Sequence, residues 1–180
     1  MNRVVTLPAL LALLTLLGAG CGGDALSEDQ QQAADTIAGQ FGGEDPSEFE
    51  KGSSACLGEE LVRALGTEAL VEAGMLTEEL EDPAETPKKV PRDIAEGYAE
   101  AIVSCQDVAG EIADRRTFYP NATDEDVAGY VACVEDIDPE LLRDAVIESS
   151  ADDGDPERTK PYFDAAKTCE ELLGEADFSQ

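Results

Sequence analysis

Four cysteines, Cys56, Cys105, Cys133 and Cys169, constrain this chain more than any other feature. Each stands alone, with no CxxC spacing, on a stretch whose apolar residues recur at the helical period. Isolated cysteines on separate helices lack the paired spacing of a thiolate metal site, so disulfides are the chemistry to expect. Four cysteines allow three pairings, and an internal likeness selects among them.

Tyr98-Ala99-Glu100-Ala101-Ile102-Val103-Ser104-Cys105 aligns with Tyr162-Phe163-Asp164-Ala165-Ala166-Lys167-Thr168-Cys169. In both, an aromatic precedes a cysteine by two helical turns, so ring and sulfur share a face. Ala55-Cys56 and Ala132-Cys133 each sit on a helix that a shorter capped one follows. Thr67-Glu68-Ala69-Leu70-Val71 also resembles Asp138-Pro139-Glu140-Leu141-Leu142 in pattern. A duplication of this kind, over residues 44–116 and 123–176, favours one bond per unit: Cys56–Cys105 and Cys133–Cys169. Each bond would clamp the first helix of a unit to its third.

The rest of the pattern predicts an all-α domain of about seven helices: two three-helix units behind one N-terminal helix. Ser27 and Gln30 form a capping-box pattern ahead of Ala33, Ala34, Ile37, Ala38 and Phe41, and Gly42-Gly43 ends that helix. Asp45-Pro46 is read as the next start, with Phe49, Cys56, Leu57, Leu61 and Leu65 facing inward. Gly66-Thr67 closes that helix and caps a short one carrying Leu70, Val71 and Met75. Residues 81–92 hold three prolines and form a linker. A long helix follows, with Ile94, Tyr98, Ile102, Cys105, Val108, Ala109 and Ile112 on one stripe. After a loop around Pro120, Thr123 caps a helix bearing Val127, Tyr130, Val131, Val134 and Ile137. Asp138-Pro139 starts another with Leu141, Leu142, Ala145 and Val146. Beyond an acidic loop, Pro161 opens the last helix, with Tyr162, Ala165, Ala166, Cys169, Leu172, Leu173 and Ala176 in register. No stretch alternates at the period of a strand.

The N-terminus carries an address. Arg3 precedes an apolar run, Val4 to Leu17, that is shorter than the ~20 residues a bilayer core requires and is followed at once by small residues. Leu17-Gly18-Ala19-Gly20-Cys21 resembles the lipobox of bacterial lipoproteins, with Gly18 where that motif usually has Leu, Val or Ile. The resemblance implies a signal peptide over residues 1–20, lipidation of Cys21, a tether over 21–26 and a single helical domain over 27–180. It also implies a lipid-anchored location on the outer face of the cytoplasmic membrane. Gly18 and Gly20 would equally suit an ordinary signal peptidase, leaving Cys21 as a free thiol on a secreted chain. The even number of remaining cysteines favours the lipid. Either route reaches a compartment in which disulfides persist.

The wider pattern adds a second resemblance. Ala55-Cys56, Leu61-Val62, Leu70-Val71-Glu72-Ala73-Gly74-Met75-Leu76, Ser104-Cys105, Asp124-Glu125-Asp126-Val127, Cys133, Leu141-Leu142-Arg143 and Cys169 look like uncharacterised cysteine-containing helical proteins secreted by actinobacteria. It implies compartment and fold, and no mechanism.

The chain has no histidine and no tryptophan. That removes the commonest general base, the usual hydrolase triads and HExxH zinc sites. No GxSxG, phosphate loop or dinucleotide fingerprint occurs. We therefore expect no enzyme, no catalytic residue and no cofactor. A net charge of −29 argues against nucleic acid as a partner. Asp152, Asp153, Asp155 and Glu157 are the candidate calcium ligands, but their spacing fails the EF-hand rule and a solvated turn is the plainer reading. Tyr98, Tyr130 and Tyr162 could line a pocket, although their spacing suits core positions with hydroxyls at the rim. Lys88-Lys89 and Arg115-Arg116, the basic doublets, could meet an acidic partner or balance local charge. Two functions fit: an interaction or accessory module docking on an unknown envelope protein, or a small-ligand or calcium-binding envelope lipoprotein.

Overall fold

The computed structural model describes residues 25–43 and 45–176. The segment read as a signal peptide, Cys21 and most of the stretch read as a tether lie outside the described residues. Among those described there are seven α-helices and two disulfides, and the fold is all-α.

Helix α1 spans Glu28–Gly42 behind the expected Ser27/Gln30 capping box. Its Ala33, Ala34 and Ile37 are buried as read, whereas Phe41 is 42% exposed and lies stacked on Tyr98. Helix α2, Glu48–Glu72, begins two residues later than Asp45-Pro46 suggests. Ser47 is its cap: the hydroxyl accepts the Glu50 N–H at 3.1 Å, and the Glu50 carboxylate accepts the Ser47 N–H at 2.8 Å. A reciprocal pair satisfies two free donors where a lone Asp-Pro satisfies one, so the box sets the start. The break expected at Gly66-Thr67 is present as a kink at Gly66, whose φ of 76° is open to glycine at little cost.

The long helix that the sequence reading places after the proline linker is two helices, α3 at Arg92–Ser104 and α4 at Val108–Asp114. The Asp107 carboxylate accepts the Gly110 N–H at 2.9 Å, capping α4 in mid-stripe. The apolar period runs on through the break, which is why periodicity alone does not reveal it. Helices α5, Asp124–Glu135, and α6, Pro139–Ser150, start at the expected caps Thr123 and Asp138. Helix α7, Lys160–Glu170, tightens into a 3-10 turn at Glu171–Leu173. Three residues per turn carry Leu172 off the inward stripe, leaving it 47% exposed while Leu173 is buried.

Both expected disulfides are formed, Cys56–Cys105 and Cys133–Cys169. The packing interlocks the two units instead of separating them. The larger core joins α1, α2, α3 and α6 through Ile37, Leu61, Val62, Leu70, Ile94, Ala99 and Ile147. Gly58 lets α1 and α2 close up: a Cβ there would lie 2.3 Å from the Ala34 carbonyl oxygen. Smaller clusters join α4, α5 and the α7 end, through Val108, Val134 and Cys169 and through Ile112, Ala122 and Leu173. Thus α6 of the second unit packs on α3 of the first, and α4 of the first packs on α5 of the second. The break at residues 105–107 makes that exchange possible. The proline linker is tied in too: the Val90 N–H donates to Ser150 O at 3.0 Å and the Asp152 N–H to Val90 O at 2.9 Å.

Candidate functional site

The α3–α4 break opens a cleft of about 410 Å³ above Cys105. Phe41, Phe49, Leu57, Ile102, Leu142 and Tyr162 supply its apolar wall, drawn from five helices. Glu50, Asp107, Glu111 and Arg115 supply its polar side. Glu50 and Asp107 are held as helix caps, and Glu111 pairs with Arg115 at 3.1 Å. A second hollow of about 250 Å³ adjoins it, sharing Gln106, Asp107, Leu142 and Tyr162. Burial pushes the Tyr162 and Tyr130 phenols up, so both remain neutral donors at physiological pH. The arrangement is suited to holding an amphipathic surface: an apolar floor with a largely acidic edge.

A third hollow, about 220 Å³, lies on the other side of Phe41. It is walled by Phe41, Met75, Pro87, Val90, Ile94 and Tyr98, with Thr86, Lys88 and Ser150 as its polar members. The Phe41 and Tyr98 rings stack with centroids 5.7 Å apart at 23°. Of the three tyrosines read from the sequence, Tyr162 borders the cleft, Tyr98 borders this hollow, and Tyr130 packs into the small clusters.

The calcium candidates are spread among separate partners. Asp153 pairs with Arg92 at 2.9 Å, the Asp155 carboxylate accepts the Glu157 N–H at 3.0 Å, and Glu157 pairs with Lys160. Asp152 is exposed, its N–H spent on Val90. Among the described residues no group of three or more Cys, Asp or Glu gathers as a metal site.

The sequence reading missed Glu148. This carboxylate is 2% exposed, accepts Arg92 at 3.3 and 3.4 Å, pairs with Arg158, and accepts the Asp155 N–H at 2.8 Å. The Asp155 N–H, then Arg92, hold its carboxyl below the usual carboxylate range despite the opposing effect of burial. Arg92 is correspondingly pushed up, first by Asp153 and then by Glu148. The signal was available: Leu142, Ala145 and Glu148 fall three apart, so the acid continues an inward stripe.

The basic doublets diverge in use. Arg115 and Arg116 reach Glu111 and Asp124. Lys89 donates to Ser149 O at 2.8 Å, and Lys88 lines the third hollow. No helix among the described residues is long and apolar enough to cross a membrane. Comparison with protein-family models, with curated proteins and with solved structures finds no match for this chain.

Proposed function

We propose that this chain is a lipid-anchored, extracytoplasmic module of the cell envelope, non-enzymatic, that serves as an accessory subunit docking on another envelope protein. The open cleft over Cys105 carries the reading, because an apolar floor fed by five helices and left uncovered is a contact surface. Its charged side chains are committed to caps and an ion pair, and the chain has no histidine to move a proton. A net charge of −29 favours a partner with basic side chains around an apolar anchor.

The test is in-cell photocrosslinking of the full chain. A photoreactive residue at Ser53, inside the cleft, should capture one abundant envelope protein, and the same residue at Gln31, on the far face of α1, should not. Equal yields from both positions, or none from Ser53, would reject the docking role.

A further inference from the structure

The hollow beside Tyr98 differs chemically from the cleft and the hollow that adjoins it. Acidic residues number 41 in the chain against 12 basic ones, and both of those have carboxylates in their walls, Asp107 among them. No Asp or Glu lines this one. Its single charged residue is Lys88, and its other polar members, Thr86, Tyr98 and Ser150, carry hydroxyl groups. Burial pushes the Tyr98 phenol up, so its hydroxyl stays a donor at physiological pH.

The pairing of the basic residues bears on Lys88. Of the five described lysines, Lys51 and Lys160 form ion pairs, whereas Lys88, Lys89 and Lys167 do not. Among the described residues Lys88 forms no ion pair, and the neighbouring Lys89 is held by the Ser149 carbonyl. An apolar wall, donor hydroxyls and one uncommitted cation call for an apolar body with an anionic head. A cavity of ~150 Å³ accommodates benzene, so 220 Å³ takes a substituted ring or a short alkyl chain.

We propose that this pocket binds a small anionic amphiphile, a monocarboxylate whose apolar part lies against Ile94, Val90 and Tyr98 and whose head meets Lys88. The site is separate from the docking cleft, and its occupancy does not depend on the docking role. Phe41 walls both, so a ligand in the pocket sits directly behind a side chain of the cleft.

Calorimetric titration of the Cys21→Ser chain, without detergent, compares octanoate, octylamine and octan-1-ol, which share one tail and differ in the head. Octanoate should bind with one-to-one stoichiometry, at least about tenfold tighter than octylamine, since a charge-assisted hydrogen bond is worth roughly one decade. Lys88→Ala should weaken octanoate about tenfold and leave octanol unchanged; Lys88 is a surface residue, so the core is spared. Ile94→Trp should fill the pocket and abolish all binding in protein that circular dichroism shows to be folded. Octylamine binding as well as octanoate, no octanoate binding at millimolar concentration, or octanoate affinity unchanged by Lys88→Ala would overturn the proposal.

Discussion

Removing the two disulfides one at a time separates chain entropy from native packing. The bonds join residues 49 and 36 apart in sequence. In the loop-entropy picture these closures stabilise the fold by about 4.1 and about 3.8 kcal/mol at 25 °C. The loops follow one another without nesting, so together they reach about 8 kcal/mol, against a total of about 5–15 kcal/mol for a domain. Reduction of both should therefore leave little or no folded protein at 37 °C. At about 2–4 °C per kcal/mol for a chain of this size, loss of either one should lower the melting temperature by about 8–16 °C.

Entropy alone makes the two bonds nearly equivalent; packing does not. Cys169 is itself part of a small cluster with Val108 and Val134, whereas Cys56 and Cys105 are half-buried and belong to no such cluster. The pair Cys133→Ala, Cys169→Ala should release α4, α5 and α7 while α1–α3 and α6 stay closed. The pair Cys56→Ala, Cys105→Ala should loosen the α2–α3 edge and leave the large core protected. Hydrogen exchange read by mass spectrometry, alongside calorimetry, distinguishes these outcomes. Continued protection of α5 and α7 without Cys133–Cys169, or a uniform rise in exchange in both variants, would refute the reasoning.

Three other expectations follow from single contacts. Gly58→Ala places a methyl against the Ala34 carbonyl with no side chain to yield, so α1 and α2 must part; a loss of about 1–3 kcal/mol in urea denaturation is expected, and a neutral result would mean the helices slide freely. Glu148 and Asp126 have carboxyls held below their ordinary values, so the stability they contribute is present at neutral pH and lost as the pH falls through those lowered values. Glu148→Gln should lower the denaturation midpoint at pH 7 and flatten the decline below about pH 4.5; an acid limb identical to that of the parent chain would remove Glu148 as its source. Cys21→Ser should move the protein from the membrane fraction to the medium, and retention on the membrane would count against the lipid anchor.

The parts of this fold that local chemistry determines were legible in the sequence. Ser27, Thr123 and Asp138 announce helix starts because a capping side chain satisfies its own neighbours' N–H groups and needs nothing distant. The disulfide pairing was legible through the repeated aromatic-to-cysteine spacing, a pattern that is likewise internal to each helix. The α3–α4 break was not, because the stripe from Ile94 to Ile112 stays in phase across it and only the Asp107 cap marks the interruption. That one miss propagates. A continuous helix would have kept each unit's three helices together, whereas the broken one sends Val108 and Ile112 into clusters with α5 and the α7 end.

The hollows were hidden for the same reason. The cleft exists where α4 turns away from α3, so its walls come from helices that the sequence separates by more than a hundred residues, Phe41 to Tyr162. Lys88 and Tyr98 were each visible as a doublet member and a core aromatic, but what gives them meaning is the lack of carboxylates around them. In a chain this acidic, such a gap arises where the fold brings together Phe41, the proline linker and the first turns of α3. Composition describes how much charge a surface carries; the tertiary fold decides where it is withheld. A pocket made by withholding it can be found only once the packing is known.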